Sequence, residues 1–213
     1  MTPAATPSPR EQRRRQHHDL SRQQILDAAE HVFARKGFHD ASMKEIGALA
    51  EFSVGAVYGF FENKEDLFTQ IYLRRGAQFM EGMRAVLAGA GTAREQLHHL
   101  ADFQVQFFRS HANFGRLFLR ASGASFGELE SAVNLTIAEN YTEAMNLQAK
   151  LFRKGQDVGE LREGDTEVLA MLFSGMVSAY QSSDPAVVDD APTGTERMPL
   201  IELHEIIDAA FVA

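Results

Sequence analysis

The sequence predicts an all-α protein: a small N-terminal unit of three short helices followed by a larger helical body. Three observations predict it. Apolar residues recur at helical spacing almost throughout, no stretch alternates apolar and polar residues as a half-buried strand would, and capping residues stand where the periodic segments begin. The 213 residues suffice for one large or two modest domains, and 45% hydrophobic against 23% charged residues is the composition of an ordinary soluble globular protein. There is no cysteine. Disulfides, thiol nucleophiles and thiolate metal sites are therefore excluded, and a cytoplasmic location is expected.

The segment "MTPAATPSPREQRRRQHHD" has no apolar core and is not a signal peptide. Its Pro, Ser, Thr and Arg content reads as a disordered basic tail over residues 1–18. Ser21 is the expected N-cap of the first helix, in which Ile25, Ala28, Ala29, Val32 and Phe33 line one face. Gly37, after Arg35 and Lys36, ends it. "SMKE", Ser42 to Glu45, has the form of a capping box opening a second short helix with Met43, Ile46, Leu49 and Ala50 inward. A three-residue turn, "EFS", leads to a third helix capped by Ser53 and reaching about Phe60 or Phe61. Asn63 caps a fourth, with Glu65 and Asp66 suited to its N-terminal dipole. Longer helices are expected near 65–88, 94–110, 112–121, 126–155, 166–182 and 199–212. No apolar stretch is long enough to span a membrane.

Two short helices joined by a tight turn and propped by a longer one form a helix-turn-helix unit. In such a unit the second helix of the pair enters the major groove of DNA. That role accounts for the composition of "SVGAVYGFFENKEDLF", Ser53 to Phe68. Gly55 and Ala56 would let the backbone lie close to a duplex, at a helical cost of about 1 kcal/mol for the glycine. Val57 and Phe61 would hold the helix on the domain, and Tyr58 would reach a phosphate with its hydroxyl while its ring packs inward. Lys64 stands at a helix N-terminus, where amides and dipole attract phosphate. Charge is distributed accordingly: residues 1–60 hold eight basic and seven acidic side chains, against a net charge of −8 for the whole chain. The Arg13-Arg14-Arg15 run has two open readings, a solvated tail or an arm that follows an adjacent groove.

The stretch "SRQQILDAAEHVFARKGFHDASMKEIGALAEFSVGAVYGFFENKEDLF" resembles the DNA-binding domain of the TetR/AcrR family of transcriptional regulators. The shared marks are Ile-Leu-x-Ala-Ala, an aromatic before Lys-Gly-Phe, a Ser opening the second helix, Ser-x-Gly-x-Val-Tyr in the third, and Phe-x-Asn-Lys-Glu-x-Leu into the fourth. The likeness covers about fifty residues. It implies that Ser42 is a phosphate-contacting cap, that Ser53, Val54, Ala56 and Tyr58 form the surface laid in the groove, and that Lys64 binds phosphate. Lys44 and Gly55 complete the candidate DNA-binding set. The sequence departs from the family pattern at Glu51, where the turn usually carries Gly, and at Gly59, where a bulky polar residue is common. The expected domains are the tail, a helix-turn-helix domain over 19–66, and a ligand-binding and dimerisation domain over 67–213.

Within that last domain, a cavity for an apolar or aromatic small molecule would be lined by Phe103, Gln104, Phe107, Phe118, Asn134 and Tyr141. The last two helices are apolar around much of their circumference. Leu169, Leu172, Phe173, Met176, Leu203, Ile206, Ile207 and Phe211 are the candidate interface of a two-fold homodimer. His17-His18 and His98-His99 lack a carboxylate or third histidine at ligand spacing along the chain, so no metal or other cofactor is expected. No catalytic constellation stands out. The expected function is a ligand-responsive, non-enzymatic repressor on a palindromic DNA operator. The alternatives are a helical small-molecule-binding or scaffolding protein without specific DNA binding, to which Glu51 and Gly59 lend support, and an enzyme housed in the helical body.

Overall fold

The computed structural model describes residues 8–123, 131–185, 187–188 and 198–213. Among them every regular element is a helix: α1 (Pro9–Asp40), α2 (Met43–Leu49), α3 (Val54–Tyr58), α4 (Lys64–Leu87), α5 (Ala93–Ser110), α6 (Ala112–Gly123), α7 (Ser131–Asp157), α8 (Thr166–Ser182) and α9 (Leu200–Phe211). The chain divides into two compact units, Met1–Ile71 and Tyr72–Ala213. None of the helices among the described residues is long and apolar enough to cross a membrane.

The first unit begins earlier than its sequence suggests. The Ser8 Oγ accepts from the Glu11 amide, the Glu11 carboxylate accepts from the Ser8 amide at 2.8 Å, and Pro9 occupies the first turn. This capping box starts α1 twelve residues ahead of Ser21, which lies mid-helix, and Pro9 to His18 are helical rather than tail. Proline costs nothing at a position whose N–H has no partner, and its fixed φ favours the first turn. Residues 8–20 are nonetheless exposed on every side. Gly37 leaves helical geometry at φ 78° and ψ 171°, a conformation that carries a steric penalty for any residue with a Cβ.

The core of this unit is built from Ile25, Leu26, Ala29, Val32 and Phe33 of α1, Met43 and Ile46 of α2, Val57 of α3, and Phe61, Leu67, Phe68 and Ile71. Phe33 and Phe38 both meet Phe68 edge-on at 5.1 Å. Gly47 lets α2 close on the turn: a Cβ there would lie 2.9 Å from the Phe52 carbonyl oxygen and 3.3 Å from Val57 Cγ2. α3 ends at Gly59, short of Phe60, and the Phe60 and Phe61 amides both turn back to the Val57 carbonyl.

In the second unit α5, α7, α8 and α9 enclose one core. Leu97, Leu100, Phe152, Phe173, Val177, Leu203, Ile207 and Phe211 are all buried in it. Phe211 meets Phe152 at 5.3 Å and Phe173 at 6.0 Å. Five of the residues assigned above to a dimer interface, Leu169, Phe173, Leu203, Ile207 and Phe211, therefore pack inside their own chain. Both helices are wide in apolar residues, and sequence alone cannot tell which side of such a helix faces its own core.

Polar ties fasten α5 to its neighbours. Arg94 and His98 both reach the Asp208 carboxylate, at 2.6 and 2.7 Å, and His204 reaches Asp102 at 2.8 Å. The His98 and His204 rings stack 4.2 Å apart. His98 thus has a carboxylate partner that sequence spacing did not reveal. The hydrogen bond from Arg94 holds the Asp208 carboxyl below its ordinary pKa. At the other end of α5, Arg109 Nε donates to Asp184 at 2.6 Å and its terminal nitrogen donates to the Tyr180 hydroxyl at 3.0 Å. Tyr180 in turn donates to the Met198 carbonyl at 2.6 Å. The Asp184 side chain is almost fully buried. Removing one partner of a buried pair leaves an uncompensated charge. Asp184→Ala is expected to lower stability by about 3 kcal/mol, and Tyr180→Phe by about 1 kcal/mol, measured by urea unfolding.

Candidate nucleic-acid interface

The helix-turn-helix is assembled by caps and a single buried anchor. Ser42 Oγ accepts from the Glu45 amide at 3.2 Å and Ser53 Oγ from the Ala56 amide at 3.1 Å, so each hydroxyl opens its helix. The Glu45 carboxylate does not close the expected capping box; it pairs with Lys36 Nζ at 2.7 Å, tying α2 to α1. Within α3 Val57 is fully buried, Val54 and Ala56 are half-buried, and Ser53, Gly55 and Tyr58 are exposed. Ser42 and Lys44 are exposed at the start of α2. The structure thus places Ser53, Gly55 and Tyr58 in the open, as a groove-reading helix requires, and buries the one residue that holds the helix down.

Tyr58 and Lys64 differ from the sequence expectation, and Gly55 accords with it. The Tyr58 ring is 51% exposed and does not pack inward. About half of the side chain is open to solvent on the outer side of α3. Gly55 has nothing within 4 Å of an added Cβ, so the fold itself does not require glycine there. Lys64 is already committed inside the domain. Its ammonium donates to the His39 and Ala41 carbonyls at 3.1 Å each and lies 4.6 Å from the centre of the Phe38 ring. It joins the first residue of α4 to the α1–α2 connection, which ends at buried Ala41. Three donors on one ammonium permit this and leave one N–H for an outside acceptor.

Family-model comparison matches residues 25–71 to the bacterial regulatory proteins of the tetR family. The match to the tetR family thus covers the helix-turn-helix and the residues around it. The fatty acid metabolism regulator protein of Bacillus subtilis is 28% identical over 158 residues, covering 72% of this chain and 78% of that one. Two solved structures share the fold. A transcriptional regulator from Saccharomonospora viridis in complex with choline superposes with a TM-score of 0.75 at 20% identity, over 92% of this chain and 99% of that one. AibR in complex with isovaleryl coenzyme A and operator DNA gives 0.71 at 17% identity, over 89% and 97%. The matched residues contain the helix-turn-helix of the first unit, with α3 as the second helix of the pair.

The residues assigned to a ligand pocket are only partly brought together. Phe103, Phe107 and Phe118 join Phe79, Phe108 and Phe114 in one aromatic cluster, with Phe79 to Phe107 at 5.2 Å and Phe108 to Phe118 at 5.4 Å. The Phe103 ring lies directly on α4, where a Cβ at Gly82 would come within 2.2 Å of it. Gln104 is buried, and its Nε2 has no hydrogen-bond partner among the described residues. Tyr141 stands 58% exposed on α7, away from a buried site. The Asn134 side chain lies outside the described residues.

Glu51 gives the turn its one conspicuous constraint. At φ 62° it is the sole non-glycine residue with positive φ among the described residues. The left-handed conformation costs a residue with a Cβ about 1–2 kcal/mol, partly offset by the extra freedom glycine gains in the unfolded chain. Glu51→Gly is expected to stabilise the protein by about 1 kcal/mol, read as a higher melting temperature in thermal unfolding.

Proposed function

We propose that this chain is a TetR-family repressor that binds a palindromic operator as a homodimer and leaves it when an acyl thioester occupies the aromatic cluster of the second unit. The observation that carries the DNA half of this reading is α3, whose Ser53, Gly55 and Tyr58 are presented outward while Val57 fixes the helix to the core. Ser53, Val54, Gly55 and Ala56 would meet base edges and the nearby backbone. Ser42, Lys44, Tyr58 and the remaining Lys64 N–H would take phosphates. The assignment involves no catalytic step.

Two features support the effector half. The cluster around Phe103, Phe107 and Phe118 is an apolar region beside the buried amide of Gln104, whose Nε2 has no partner among the described residues and is a donor suited to a ligand carbonyl. The similarity to a fatty acid metabolism regulator, and to a fold that holds isovaleryl coenzyme A together with operator DNA, makes the acyl thioester the first class to try. Residues of α4 belong to both units, so a ligand that favours one arrangement of α4 would change operator affinity by that preference.

Dimerisation is assigned to the apolar residues that α8 and α9 leave exposed. These are Leu172 and Ile206 of the expected set, with Val168, Met171 and Ile201 beside them; Met176 is half-buried. Gly175 has open space around it, which suits a closely approaching second helix. Leu172→Glu is expected to convert a dimer into a monomer in sedimentation equilibrium with the helical signal unchanged.

Selection of duplexes from a random pool tests the DNA-binding reading directly. A palindrome should emerge, bound about a thousandfold or more tightly than random sequence at physiological salt. Tyr58→Phe and Gly55→Ala should each weaken it several-fold with no loss of stability, because among the described residues the Tyr58 hydroxyl has no hydrogen-bond partner and a Cβ at Gly55 meets nothing within 4 Å. Acyl-CoA thioesters of increasing chain length should then release the labelled duplex. Weak, sequence-blind binding would instead favour a ligand-binding protein without an operator, and lack of release by any thioester would remove the effector class.

A further inference from the structure

The first turns of α1 belong to no core, yet their orientation is fixed. Arg22 places its guanidinium 5.1 Å from the centre of the Phe61 ring, and one turn earlier the His18 ring lies 4.8 Å from Phe60. Two successive turns of one face of α1 therefore rest on the two residues that follow α3 and its C-cap Gly59. At 100° per residue, the next turn of that same face carries Arg14 and Arg15, four and three residues before His18, whereas Arg13 points to the opposite side. Both arginines are exposed, and neither Arg13, Arg14 nor Arg15 forms an ion pair among the described residues. Glu11 shares the face, but its carboxylate is turned back onto the Ser8 amide and hydroxyl at 2.8 Å.

We propose that Arg14 and Arg15 form a second DNA-contacting element, a helical arm that grips backbone phosphates beside the sequence read by α3. The capping box at Ser8 keeps the arm helical without DNA, and the aromatic contacts at Phe60 and Phe61 aim it. A rigid helix does not thread the minor groove as an extended arm does. Its guanidinium groups lie along the backbone, so they add affinity and length of footprint but no base preference. A chain that is acidic overall gains local positive charge on the side where a duplex would sit. The inference rests on the DNA-binding reading above.

The test uses the full-length protein and the duplex that it selects, with binding followed by fluorescence anisotropy from low to physiological salt. Arg14→Gln/Arg15→Gln retains good helix formers, and circular dichroism verifies that the helix persists. Each phosphate left without its cation lowers the slope of log K against log salt by about 0.9. A homodimer carries two copies of the pair, so the double variant is expected to show a slope shallower by about 3–4, to select the same sequence as wild type, and to become indifferent to base pairs trimmed from the flanks. Arg13→Gln, on the opposite face, should change the slope by less than half as much. An unchanged slope in the double variant would overturn the arm while leaving operator binding intact. An equal effect from Arg13→Gln would reduce it to diffuse charge and overturn the register argument. A wild-type protein that selects no sequence would remove the DNA-binding reading and the arm with it.

Discussion

The DNA-reading surface depends on the burial of one side chain. A helix of five residues cannot sustain itself in water, since the first turn costs more conformational freedom than its hydrogen bonds return. α3 exists because Val57 is driven into the core of the first unit, where Gly47 leaves room for it. The Ser53 cap, the return of the Phe60 and Phe61 amides to the Val57 carbonyl, and the exposure of Tyr58 all follow from that anchor. Around it the domain is closed by charge. Lys36 reaches Glu45 between α1 and α2, and Lys64 reaches the carbonyls before α2. Two cations that the sequence would offer to DNA or solvent are thus also structural ties.

Much of the fold was legible in the chain. The spacing of Ile25, Ala28, Ala29, Val32 and Phe33 located the inward face of α1, and Ser42 and Ser53 located the starts of α2 and α3, because each of these signals is local. The later helices fall within a few residues of expectation where they are described, for the same reason. The start of α1 is hidden in composition, where Pro, Ser and Arg read as a tail. Taken in order as Ser-Pro-x-Glu, the same residues spell a helix start.

What sequence could not supply was the pairing of faces. Leu169, Phe173, Leu203, Ile207 and Phe211 are as apolar as Leu172 and Ile206, and only the three-dimensional arrangement of α5, α7, α8 and α9 separates the inner set from the outer. The same holds for Asp208, which lies 110 residues from His98 and became its partner through the packing of α9 on α5. Glu51 is the reverse case. Its departure from the family's glycine was visible in the sequence, and the backbone supplies the reason that glycine is usual there.

The seating of Phe103 on α4 has a kinetic consequence. The ring is packed against α4 so closely that no side chain fits at Gly82, and the aromatic cluster is closed on that side. A ligand bound there must wait for, or force, the displacement of a half-buried ring. Its association is then governed by how often the ring is out, and its apparent affinity is reduced by the same fraction. Such a site would reject small polar metabolites that cannot take over the packing of the displaced ring. It would retain a bulky apolar guest that can, and the chain would respond to such a guest slowly but hold it long.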